Sequence, residues 1–169
     1  SFFNEEAGTL GMWDPVKFVE QGHSGIYFIK PFDPNKVPVL FVHGIGGAGH
    51  NWLYLMERLD RQRFQPWVVQ YPSGMRLGLI STALHQAINE MKAQYPFTQL
   101  AVVAHSMGGL VARGFVNLHQ ASSRKTFNIT TFLTLSTPWD GHKAASQGVD
   151  HAPVAIPSWF DLVPGSPYL

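Results

Sequence analysis

The chain has 169 residues, a formal charge of +1 from 12 basic and 11 acidic side chains, and no cysteine. That length suits one domain with an ordinary core, and 45% apolar against 14% charged residues excludes a disordered chain. The charge balance gives no field for a phosphate backbone, so no nucleic-acid partner is expected, and no spanning segment is expected because no apolar run reaches ~18 residues. Without cysteine there are no disulfides, thiolate metal sites or cysteine nucleophile.

Residues 1–36 read as an amino-terminal arm or edge hairpin, with an amphipathic piece over 15–20 behind a cap at Asp14 and a strand over 25–29. Over 37–137, short β-branched or aromatic runs alternate with helical patterns, the mark of a parallel sheet covered by helices on both faces. The run over 37–42 is almost continuously apolar, as a strand buried on both faces requires. Trp52, Leu55, Met56 and Leu59 predict a helix over 49–60. A strand over 64–71 ends at Pro72-Ser73-Gly74, and Leu77, Ile80, Leu84, Ile88 and Met91 predict a helix over 76–95 closed by Pro96. A buried strand over 100–104, a helix carrying Leu110, Val111, Phe115 and Leu118, and a strand over 129–135 follow. Residues 138–169 hold five prolines, three glycines and two tryptophans without sustained periodicity, and read as a cleft or lid-like region of the same domain, made of loops and short helical turns lying over the sheet. The fold class is α/β, a three-layer arrangement around a mostly parallel sheet.

The chemistry concentrates at two strand ends. Ala104-His105-Ser106-Met107-Gly108-Gly109 joins a strand to a helix, and a sharp turn there lifts the serine hydroxyl above the sheet. Such a turn needs small residues two before and two after the serine, and Ala104 and Gly108 supply them. A lone serine before a helix would be an N-cap, but this combination points to Ser106 as a nucleophile. The second segment, His43-Gly44-Ile45-Gly46-Gly47, also closes a strand, where open α/β sheets place their ligands. Acyl transfer needs two amides aimed at a developing oxyanion, and Met107 and Ile45 are the candidate donors. As a phosphate cradle the glycine cluster fails, because it lacks a Gly-Lys-Ser/Thr ending.

Together these segments resemble the α/β-hydrolases, in particular small bacterial lipases and esterases in which alanine replaces the first glycine of Gly-x-Ser-x-Gly. Leu135-Ser136-Thr137-Pro138-Trp139, Gly141-His142 and Pro157-Ser158-Trp159 extend the similarity to lipase-like proteins related to glycolipid-anchor deacylases. The resemblance implies a serine hydrolase that cleaves small-molecule or lipid carboxylic esters through an acyl-enzyme on Ser106. The compartment stays open, with a bacterial envelope or secreted setting favoured over a cytoplasmic one. His43, Gly44, Gly46, His105, Trp139 and His142 are expected to line the cleft, with the segments 46–52 and 139–159 flanking it. An amidase or thioesterase would use the same apparatus, and a noncatalytic binding domain or an inactive fragment is the alternative outside enzymes.

In this family the triad runs serine, acid, histidine along the chain. Only 63 residues follow Ser106 and 32 follow Thr137, too few for two more strand and helix units at roughly 30 residues each. The chain is therefore expected to be an amino-terminal portion of a longer enzyme, with its acid and base beyond Leu169 and its exposed sheet edge covered by that remainder or by a partner. Within the chain, Asp140 with His151 is the best triad pair, resting on loops rather than on a strand. No two of the eight histidines share close helical spacing, so no metal or other cofactor is expected.

Overall fold

The structure is a computed structural model that describes residues 3–169. Five strands, β1 Gly25–Phe28, β2 Val37–Val42, β3 Phe64–Gln70, β4 Gln99–His105 and β5 Asn128–Leu135, form one sheet in the order β1-β3-β2-β4-β5. Only β1 runs antiparallel, pairing Gly25 with Gln70 at the β3 edge. The other pairs are parallel, with Leu40 facing Trp67 on one side and Val102 on the other. β3 and β4 thus lie on opposite sides of β2, which opens a crevice at the carboxyl ends of β2 and β4.

Side-chain alternation along β2 divides the core. Leu40 and Val42 point to the face covered by α4 Leu77–Gln94 and α5 Met107–Ala121, where they pack with Leu84, Ile88, Leu110, Val111 and Phe115. Val39 and Phe41 point the other way, into a smaller cluster with Trp52, Met56 and Val68. Burial of each such large side chain contributes about 1.5–3 kcal/mol before ordering costs. β5 at the sheet edge differs, because Phe132, Leu133 and Leu135 remain exposed and no described strand pairs with its outer side.

Several elements depart from the sequence expectations. A helix, α1 Glu5–Trp13, precedes the expected α2 Pro15–Glu20; Asn4 caps it by accepting from the Ala7 amide at 3.1 Å. The helix expected over 49–60 is split into a 3-10 turn, Gly49–Trp52, and a short α3, Leu53–Arg58. The tighter turn swings Trp52 against Phe41, with ring centroids 5.1 Å apart, and leaves Leu53 and Tyr54 facing outward.

The expected loop region contains α6 Lys143–His151 and α7 Pro157–Leu162. These fasten to the body and not over the cleft. Ser158 N donates to Gly74 O at 3.0 Å, and buried Asp161 caps α4 by accepting from Leu77 N at 2.7 Å while pairing with Arg76 at 2.7 Å.

Candidate active site

At the end of β4 the chain turns so sharply that Ser106 takes φ 54 and ψ −133, left-handed backbone that L-residues rarely adopt. The turn is held from both sides, since Ser106 N donates to Leu135 O at 2.8 Å and Gly109 N donates to Ser106 O at 2.9 Å. It also requires the glycines after it. A Cβ at Gly108 would stand 2.3 Å from His43 O and 2.5 Å from Val42 O, and one at Gly109 would stand 1.9 Å from Thr137 Oγ1. The first turn of α5 can therefore sit directly against the end of β2.

The glycine-rich turn faces the serine. A Cβ on Gly44 would lie 3.0 Å from the Ser106 Cβ, so the two turns already touch. Gly47 N donates to Gly44 O at 3.1 Å, Gly46 adopts φ 64, and the Gly46 amide donates to the buried Ser73 hydroxyl at 3.0 Å. Among the described residues, the Ile45 and Met107 amides have no hydrogen-bond acceptor. Met107 opens α5, whose positive dipole end adds to the local field.

His43 supports this turn from below. Its ring stacks on Tyr71 at 4.1 Å and 7°, and the Tyr71 hydroxyl donates to the His43 carbonyl. Nδ1 lies 2.8 Å from Gly44 O; a carbonyl only accepts, so Nδ1 carries the proton there and Nε2 holds a lone pair. Nε2 is buried without a partner among the described residues. Burial lowers the His43 pKa from 6.5 to about 4, which keeps the ring neutral at physiological pH, and burial likewise raises that of Tyr71.

A cleft of about 440 Å³ opens over Ser106, lined by His43, Gly44, Ile45, Gly46 and Gly47 from one turn and His105 from the other. Asn51 and Trp52, from the 46–52 segment expected to flank the cleft, complete its wall together with Leu55 and Leu135, which no sequence pattern marks for it. Ser73, the acceptor for the Gly46 amide, is in the sequence only part of the Pro72-Ser73-Gly74 strand breaker. Trp139 and His142 lie outside the cleft. Trp139 packs edge-on to Phe132 with Arg113 over its ring, and His142 caps α6 by accepting from the Ala144 amide at 3.2 Å. Each is drawn away by a local partner.

Among the described residues no histidine is hydrogen bonded to Ser106 or to a carboxylate. Asp140 and His151 are both exposed and make no bond to each other. The loop carrying Asp140 and the end of α6 carrying His151 supply no contact that would join them. Asp161 is committed to Arg76 and the α4 N-terminus, and His119 to the Phe127 carbonyl.

Solved structures similar to this one include lipases and carboxylesterases. A Bacillus licheniformis lipase in its mature form matches with a TM-score of 0.61 at 19% identity, over 81% of this chain and 60% of that one. A highly thermostable carboxyl esterase from Bacillus coagulans matches with a TM-score of 0.52 at 19% identity, over 72% of this chain and 41% of that one. A carboxylesterase of the thaumarchaeon Nitrososphaera gargenis matches with a TM-score of 0.51 at 14% identity, over 72% of this chain and 44% of that one. At these identities the likeness establishes the α/β-hydrolase fold, and the chain spans less than two thirds of each of those proteins. No curated protein matches the sequence. The model of the family described as "Putative serine esterase (DUF676)" matches residues 34–162, from the turn before β2 to the end of α7, and the chain belongs to that family.

Proposed function

We propose that the chain carries the nucleophile and oxyanion-binding half of a serine ester hydrolase. Ser106 Oγ attacks the carbonyl carbon of a carboxylic ester as its proton passes to a general base. The carbonyl electron pair moves onto oxygen, where the Ile45 and Met107 amides hold it. Collapse expels the alcohol, which takes the proton back from the base, and leaves an acyl group on Ser106. Water repeats the sequence and releases the acid. The left-handed Ser106 elbow, in contact with the glycine-rich turn and flanked by the Ile45 and Met107 amides that have no acceptor among the described residues, is the observation that carries this reading.

The base and its acid come from polypeptide beyond Leu169. No described histidine is bonded to Ser106, and the exposed outer edge of β5 is where further strands of the fold would add. Trp52, Leu55 and Leu135 give the cleft an apolar wall suited to the acyl part of a small-molecule or lipid ester. The test is hydrolysis of p-nitrophenyl butyrate and longer p-nitrophenyl esters by the full natural chain. Activity lost at least about 10³-fold in Ser106→Ala is expected. Equal activity in the variant, or none from the full chain on any ester, would refute the proposal.

A further inference from the structure

We infer that α1 is the outer clamp of the oxyanion turn, and that Gly8 is the positioning residue through which it sets the Ile45 amide. The inference rests on the oxyanion role proposed above for Ile45. Helix α1 lies ahead of the residues 34–162 that match the family. Its buried face consists of Ala7, Gly8 and Gly11, so backbone rather than side chain meets the body of the protein. A Cβ on Gly8 would stand 2.3 Å from Gly46 O and 2.9 Å from Gly47 O. The helix is pressed against the Gly46 and Gly47 carbonyls of the turn that contains the Ile45 amide.

Two further contacts close the clamp. Gly74 N donates to Gly11 O at 2.9 Å, and a Cβ on Gly74 would stand 2.0 Å from Met12 O. The neighbouring Ser73 hydroxyl accepts from Gly46 N, so α1 and the 73–74 segment hold each other as well as the turn. Ahead of the helix, Phe3 O accepts from His50 N at 3.0 Å and lies 2.8 Å from His50 Nδ1, which ties the start of α1 to the 3-10 turn carrying Asn51 and Trp52 of the cleft wall.

Gly46 sits at φ 64, and a turn of this kind has other conformations within reach that would rotate its peptides. Contact on both sides selects one of them. Non-bonded contact normally begins at about 3.5 Å, so a methyl group at residue 8 forces the helix and the turn apart by about 1 Å. A donor that must meet the oxyanion at 2.7–3.1 Å does not survive such a shift. A displacement of this size costs on the order of 10²-fold in rate.

The test compares Gly8→Ala with Thr9→Ala, an exposed position of the same helix, in the full chain. Gly8→Ala is expected to lower kcat for p-nitrophenyl butyrate about 10- to 100-fold with KM within about two-fold. It is also expected to speed amide exchange over residues 44–50 about ten-fold while exchange in α4 and β4 stays unchanged. Asn4→Ala removes the α1 cap without adding an atom, and should move both readouts in the same direction by about two- to five-fold. Thr9→Ala should move neither. An unchanged kcat in Gly8→Ala, or exchange accelerated equally through α4 and β4, overturns the inference. If the unsubstituted chain hydrolyses no ester, the proposed function fails by itself, and exchange over 44–50 still decides whether the clamp exists.

Discussion

His43 makes acid stability a direct readout of how tightly the base of the glycine-rich turn beside Ser106 is packed. The residue is 1% exposed, its ring is stacked on Tyr71, and its pKa is lowered from 6.5 to about 4, chiefly by desolvation. Above pH 6.5 the folded and unfolded chains both hold a neutral ring, so this residue adds no pH dependence. Between 6.5 and about 4 the unfolded chain binds a proton that the folded chain refuses, and stability falls as pH falls. The slope approaches about 1.4 kcal/mol per pH unit, and the total loss from this one residue is about 3 kcal/mol once pH is below 4. His119, whose pKa burial also lowers, adds a slope of the same sign. Urea unfolding at half-unit steps from pH 7.5 to 4.5 should show this slope. His43→Phe keeps a ring against Tyr71 and should flatten the slope by up to one proton. A wild-type slope no steeper than that of the variant, or a folded-state NMR titration of the His43 ring near pH 6.5, would refute the reasoning.

Three substitutions probe the scaffold around the serine. Gly108→Ala places a methyl group against two backbone carbonyls that cannot rotate away; it should cost about 3 kcal/mol and lower Tm by about 6–12 °C in thermal unfolding. Ser106→Gly removes the left-handed strain at the elbow and should raise Tm by about 2–4 °C, a gain of about 1 kcal/mol, while abolishing reaction at this position. Asp161→Ala strands the buried Leu77 amide and frees Arg76; calorimetry should show a loss of about 2 kcal/mol, or about 4–8 °C.

The parallel sheet was legible because β2, β3 and β4 are runs that only burial on both faces explains, and the elbow because Ala104, Ser106 and Gly108 stand at a strand-to-helix junction. The parts that were not legible depend on approach across long sequence separations. Helix α1 contains Gly8 and Gly11, which weaken helix propensity; their use is contact with Gly46, Gly47 and Phe18, a purpose visible only after folding. Asp161 reaches back 84 residues to cap α4, and no local pattern announces that. Trp139 and His142 sit just after the β5 turn that passes α5 at Gly109, a plausible cleft wall by order along the chain, yet local partners in Phe132, Arg113 and the α6 N-terminus draw them off. Leu55 was read as part of a longer helix and instead lines the cleft, because the 3-10 turn before α3 rotates the helix face.

The central claim is that Ser106 is a nucleophile served by the Ile45 and Met107 amides. Its most direct test is reaction of the full chain with a fluorophosphonate, followed by mass mapping of the modified peptide. Stoichiometric addition at Ser106, absent in Ser106→Ala, is the predicted result. Labelling of a different serine, or no labelling of a folded full chain that retains its acid and base, would contradict it.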